Sequence, residues 1–194
     1  MRWFLAVFAT VAIACEPTQG PTTPRHPPTP LELVERGVDL DGRLVGASDA
    51  TATLIVSFAS WCVHCKDELA VIASLREAHP RVRILGVNYK AHEEYANRGS
   101  SDAVRAYVRD HAPWLRVVPI GRDVFDALGR PPKVPTMFVF DRTGALVENY
   151  DRRTRAMPDA AELAALFTRL AAQEERVDDA TERGHAETER ARFR

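Results

Sequence analysis

The stretch "SFASWCVHCKDE" (residues 57–68) carries two of the chain's three cysteines, Cys62 and Cys65, separated by Val63 and His64. It joins two segments of different period. Upstream, "TLIVSFAS" (residues 53–60) is β-branched and almost continuously apolar, the pattern of a central strand buried on both faces. Downstream, "KDELAVIASLREAH" (residues 66–79) places Leu69, Ile72, Ala73 and Leu75 at helical spacing, with acids expected in the first turn. The cysteines fall where strand gives way to helix. They can be a redox pair, half of a metal site or a structural disulfide.

A cysteine at a helix N-terminus lies near unpaired backbone N–H groups and the positive end of the helix dipole, which favour thiolate over thiol. That placement makes Cys62 the nucleophile. Cys65, one turn later and nearer the interior, is suited to attack a mixed disulfide and release the partner. A stapling disulfide normally closes a long loop, and one closing four residues constrains little. Tetrahedral zinc normally takes four ligands, and the chain holds no second Cys-x-x-Cys and no His-x₃₋₅-His.

Working outward, "VDLDGRLV" (residues 38–45) alternates around Asp41-Gly42 and predicts a β-hairpin. "VRILGVNY" (82–89) predicts a strand, and "SSDAVRAYVRDH" (100–111) a capped helix with Val104, Tyr107 and Val108 on one side. A short strand at 117–120 and a helix at 123–128 follow. "VPTMFVFDRTGALVENY" (134–150) predicts strand, tight turn at Thr143-Gly144, strand; "DAAELAALFTRLAA" (159–172) predicts a closing amphipathic helix. The expected fold class is an α/β sandwich: a central mixed β-sheet flanked by helices, with an N-terminal β-hairpin and a helical insertion. At 194 residues the chain can bury one sizeable core.

The ends differ from the middle. Met1-Arg2 precedes "WFLAVFATVAIA", which has no charge and is shorter than the roughly twenty apolar residues a bilayer span requires. A basic start, a short apolar core and small residues at its end predict a signal peptide over residues 1–14. "AIAC" (12–15) resembles a bacterial lipobox, which predicts Cys15 as the lipidated first mature residue; Ala12-Ile13-Ala14 also suits ordinary signal peptidase, which would leave a soluble exported form. "EPTQGPTTPRHPPTP" (16–30) is too proline-dense for helix or ladder, so 15–30 is expected to be an extended tether. The expected folded domain is 31–172. The charged segment 173–194, with few apolar anchors, is expected to be a disordered, solvated tail. A net charge of −1 offers no bulk attraction for nucleic acid.

"SFASWCVHC" with "KDE", then "GVN", "DALG", "VPTMFVFDRTG" and a closing helix occur in that order over residues 37–172. Together they resemble the thioredoxin superfamily, and more narrowly its TlpA/ResA-type branch of exported, membrane-tethered thiol-disulfide oxidoreductases. The resemblance implies a thioredoxin-like sandwich with Cys62 as attacking thiol, Cys65 as resolving thiol and Cys62-Cys65 as the redox disulfide. Trp61 matches the tryptophan before the first cysteine. Pro135 matches a cis-proline whose loop, Val134-Pro135-Thr136, binds the substrate chain. Glu68 matches an acid near the disulfide that tunes a thiol or relays a proton to Cys65; a helix-start glutamate favoured only by the dipole is the plainer alternative.

The resemblance further implies that no cofactor is needed beyond the cysteine pair. It implies a monomer that exchanges disulfides with other exported proteins, such as apocytochromes in cytochrome c maturation, and with a membrane or periplasmic redox partner. The expected location is the periplasmic or extracytoplasmic face of a bacterial membrane, through a lipid anchor.

Three positions depart from the family pattern. Val56 stands where thioredoxin has a buried aspartate, Ala70 where a proline commonly kinks the active-site helix, and Val63 where a proline usually follows the first cysteine. His64 bears on direction. A protonated imidazole beside Cys62 favours the thiolate, stabilises the reduced form and so makes the pair a stronger oxidant; an exposed histidine with no such role is the alternative. Two other activities remain open. A thiol-dependent peroxidase is disfavoured by Ala59, where a threonine usually stands, and a copper(I) metallochaperone using Cys62, Cys65 and a histidine by the two-residue spacing.

Overall fold

The computed structural model describes residues 27–192. The signal peptide, Cys15 and most of the proline-rich tether lie outside the described residues. Five strands form one mixed sheet in the order β3-β2-β1-β4-β5: β1 (Ala52–Ser57), β2 (Val82–Tyr89), β3 (Arg116–Ile120), β4 (Thr136–Asp141) and β5 (Leu146–Asp151). β1, β2 and β3 run parallel, and β4 and β5 antiparallel to their neighbours. The helices are α1 (Pro30–Glu35), α2 (Val63–Leu75), α3 (Lys90–Glu93), α4 (Ser101–His111), α5 (Arg122–Ala127) and α6 (Ala160–Arg192), with a 3₁₀ turn at Tyr95–Asn97. Among the described residues, no helix is long and apolar enough to cross a membrane.

β1 is the middle strand, and every one of its residues is buried. Its side chains alternate between two cores. Leu54 and Val56 join Leu69, Ile72 and Leu75 of α2, Val104 and Tyr107 of α4, and Leu163 and Phe167 of α6. Ile55 joins Leu31 and Val34 of α1, Val124 and Phe125 of α5, and Phe138 and Phe140 of β4. A strand covered on both faces needs apolar residues at both parities, hence the unbroken run in the sequence. Each fully buried residue of this size contributes about 1.5–3 kcal/mol.

Three expectations need correction. The hairpin over residues 38–45 contracts to one bridge, Val38 to Leu44. Both side chains are exposed and have no face to bury, and the Asp39 carboxylate takes the N–H groups of Asp41 (3.0 Å) and Arg43 (2.9 Å), so an Asp-centred turn replaces the ladder. The helix after the cysteines begins at Val63, which moves Asp67 and Glu68 out of its acid-free first turn. The segment 173–192 is helical as part of α6, not disordered. Glu174 explains the continuation: it is buried between Arg81 (2.8 Å) and Arg142 (3.1 Å), and Arg142 also reaches Asp178 (3.1 Å), so charge pairs anchor a stretch that lacks apolar contacts. The short helices α1 and α3 carry too few periodic residues to be anticipated from the sequence.

Candidate active site

The register of β1 assembles the site. Ser57 at its C-terminal end pairs with Val87 of β2 and with Thr136, the first residue of β4. The segment leaving β1 toward the cysteines is therefore flanked by the loop entering β4 on one side and the end of β2 on the other.

Cys62 is the N-cap of α2, and its sulfur accepts the Cys65 backbone N–H at 3.2 Å. A sulfur here occupies the position in which Ser or Asp oxygens usually cap a helix, and it meets the same unpaired N–H groups and dipole. The Cys62 and Cys65 sulfurs are paired in a disulfide with Cα atoms 5.3 Å apart. That separation lies within the range a bridge spans without backbone movement. Cys62 is 6% exposed and Cys65 0%, so the helix offers one sulfur to a partner and keeps the other behind it.

The Val134–Pro135 peptide bond is cis, and the Val134 carbonyl oxygen lies 3.6 Å from Cys62 Sγ. Pro135 and Thr136 are buried, and the Thr136 hydroxyl donates to the Lys133 carbonyl at 2.8 Å. Thr136 thus shapes the loop from within, while Val134 faces the site. Trp61 is half-buried, and its Nε1–H is shared between the carbonyls of Glu93 (2.9 Å) and His92 (3.2 Å). His64, in the first turn of α2, is exposed and lines the same groove as Trp61 and Val134.

Glu68 follows Cys65 by three residues on α2, one turn along the same helix. It is half-buried and lines a separate cavity with residues 152–157, without a hydrogen bond to either sulfur. Burial pushes its carboxyl up; Arg152 opposes the shift and Asp67 reinforces it. Val56, where a buried acid stands in thioredoxin, is wholly buried opposite Met137.

The acid the structure does build into the site is Glu93, which the sequence reading missed. It is 2% exposed. Its carboxylate accepts the Ser60 backbone N–H (2.9 Å), the Ser60 hydroxyl in a very short contact, and the Asn88 side-chain amide (2.9 Å); that amide also donates to the Phe58 carbonyl (3.1 Å). Residues 58–61 are thereby tied to the end of β2. "KAHEEY" offers no spacing that separates Glu93 from Glu94, which is exposed and paired with Lys90 at 3.6 Å. Burial also pulls the His92 imidazole down from its ordinary value.

No protein-family model matches the chain. Several solved structures share its fold at low identity. The N-terminal domain of PilB from Neisseria gonorrhoeae is 19% identical with a TM-score of 0.58, covering 73% of this chain and 92% of that one. A secreted Mycobacterium tuberculosis disulfide oxidoreductase homologous to E. coli DsbE is 19% identical with a TM-score of 0.53, covering 70% and 93%. A thioredoxin-like protein from Aeropyrum pernix is 12% identical with a TM-score of 0.57, covering 71% and 93%. With its mixed five-stranded sheet, its flanking helices and the match to these structures, the chain has a thioredoxin-like fold.

Proposed function

We propose that the protein is a thiol-disulfide oxidoreductase acting on other exported proteins, with the Cys62-Cys65 pair as its whole redox centre and no bound cofactor. The observation that carries this reading is the asymmetry of the pair. The Cys62 sulfur accepts a backbone N–H and lies between Trp61 and Val134, which line an open groove, while Cys65 is wholly buried.

When the protein acts as reductant, the Cys62 thiolate attacks one sulfur of a partner disulfide and displaces the other as a thiolate. The Cys65 thiol then gives up its proton and attacks Cys62 Sγ. This breaks the mixed disulfide and releases the partner as a dithiol, so two electrons pass to the partner and the Cys62-Cys65 bond forms. Run backwards, the same steps oxidise a partner dithiol. The Val134 backbone suits strand-like pairing with an extended partner segment. Two neighbours are themselves described as disulfide oxidoreductase and thiol:disulfide interchange protein, which supports the reading. The first thirty residues suit export and a lipid anchor on Cys15, and apocytochromes in cytochrome c maturation are one substrate class consistent with that placement.

Replacing Cys65 with alanine tests the mechanism. The variant should accumulate mixed disulfides through Cys62, and the double variant lacking both cysteines should accumulate none. A Cys65→Ala protein that neither traps a partner nor reduces a model disulfide would refute the enzyme reading. Mass spectrometry of the mature N-terminus tests the anchor: an unmodified Cys15 or a start at another residue excludes lipidation.

A further inference from the structure

The groove beside Cys62 has a volume of about 650 Å³ and an uneven chemistry. Trp61, Tyr95 and Val134 form its apolar surface, and Lys133 and Arg152 stand at its edge. Among the described residues no carboxylate lines it. Arg98 extends the cationic rim, with its guanidinium 5.3 Å from the Trp61 ring centre and 5.8 Å from that of Tyr95.

These cations are not balanced locally. Most arginines on the described surface have a carboxylate within ion-pair distance; Arg153 holds Asp151 at 2.8 Å, and Arg155 holds Glu148 (3.0 Å) and Glu162 (2.7 Å). Arg98, Lys133 and Arg152 form no ion pair among the described residues, and all three are exposed. Of the acids nearest in influence, Asp151, whose field reaches Lys133, is held by Arg153, and Glu68, which shares the neighbouring cavity with Arg152, forms no ion pair with it and is pushed toward its neutral form by burial. The chain as a whole carries −1, so a cationic collar at this one place is not a product of composition. Three separate segments supply it: the 3₁₀ turn and its end, the loop entering β4, and the link after β5.

We propose that the groove selects an extended partner segment in which the reacting cysteine is flanked by acidic residues, with an apolar or aromatic side chain laid on Trp61 and Tyr95. This specificity rests on the thiol-disulfide exchange reading above. Charge complementarity carries the choice of occupant, since unpaired cations around a focusing concave site raise the encounter rate of anionic chains.

The test uses two synthetic peptides that are identical except for glutamate or lysine on both sides of one cysteine, each activated as its 2-pyridyl disulfide, a leaving group without charge of its own. Reduced protein displaces 2-thiopyridone through attack of the Cys62 thiolate on the peptide sulfur; Cys65 then releases the peptide as a thiol. At low salt the glutamate peptide should react about three- to tenfold faster, the scale of two or three exposed ion pairs. The ratio should fall toward one in the Lys133→Ala, Arg152→Ala double variant and at high ionic strength. Equal rates for the two peptides in the unaltered protein, a faster lysine peptide, or a ratio untouched by the double variant would overturn the specificity while leaving the exchange activity standing. Reaction of neither peptide would remove the exchange reading and this inference with it.

Discussion

Glu93 and Ser60 lie 33 residues apart in sequence, yet the Glu93 carboxylate holds both the backbone N–H and the hydroxyl of Ser60, two residues before Cys62. The same carboxylate takes the Asn88 amide, so one buried acid fastens the segment leaving β1 to the end of β2. Trp61 is held by the carbonyl of the same residue.

Glu93→Ala should therefore loosen the approach to the cysteines without touching them. Three donors lose their acceptor in a closed setting, and urea unfolding should show a loss of about 2–3 kcal/mol. Gly99→Ala probes the same clamp from outside, because a Cβ there would lie 2.0 Å from Glu93 Oε1 and 2.9 Å from its carbonyl oxygen. It should cost about 1–3 kcal/mol as an overpacking change. A stability for either variant equal to the parent's would show that the clamp is dispensable.

His64 stands in the first turn of α2, exposed, on the groove lined by Trp61 and Val134. His64→Ala tests the expectation that this imidazole stabilises the reduced thiolate of Cys62. The reduction potential should become more negative, by about 10–30 mV, where about 30 mV corresponds to a tenfold change in the exchange constant. Equilibration with glutathione measures it, and an unchanged potential would assign His64 no part in redox poise.

Glu68 offers a pH test. Burial raises its carboxyl, so the folded protein favours the protonated form more than the unfolded chain does. Its contribution to stability is full below the ordinary carboxylate range and declines as pH rises through the folded value. Glu68→Gln should therefore be more stable than the parent at neutral pH, with the difference closing in acid. Thermal unfolding at two pH values decides the sign. The same variant in the peptide exchange assay separates this effect from proton relay, which would alter the rate's pH profile.

Asp39 behaves oppositely. Burial alone would raise its carboxyl, but the N–H of Arg43, the Arg116 guanidinium at 2.7 Å and the N–H of Asp41 outweigh it and hold the group below its ordinary value. The stabilisation is present above the unfolded value and is lost as pH falls through the lower folded one. Asp39→Ala should cost about 2 kcal/mol at neutral pH, with the gap to the parent narrowing in strong acid.

The order and kind of the five strands and of α2, α4, α5 and the start of α6 were legible in the sequence because they rest on local patterns. The unbroken apolar run of β1, the helical spacing of Leu69, Ile72 and Leu75, and the turn residues before β5 each report burial over a few neighbouring positions. The placement of Cys62 at a helix start followed from the same patterns. Where sequence patterns suggested more than the structure holds, at the 38–45 hairpin, alternation was present but no second layer covered it.

What tertiary structure alone decided depends on partners distant in the chain. Glu93 is buried and Glu94 exposed because only the former meets Ser60, Asn88 and the segment leaving β1. Glu68 lines a cavity with residues 152–157 because the link after β5 packs beside α2, a neighbour its sequence position does not announce. Val134 stands 3.6 Å from Cys62 because Ser57 pairs with Thr136 across 79 residues. The pairing of Thr136 with Asp151 brings Lys133 and Arg152 to one groove, and Arg98 joins its rim over Trp61. Local sequence determines which faces want burial; the pairing register of the sheet decides which side chains then share a site.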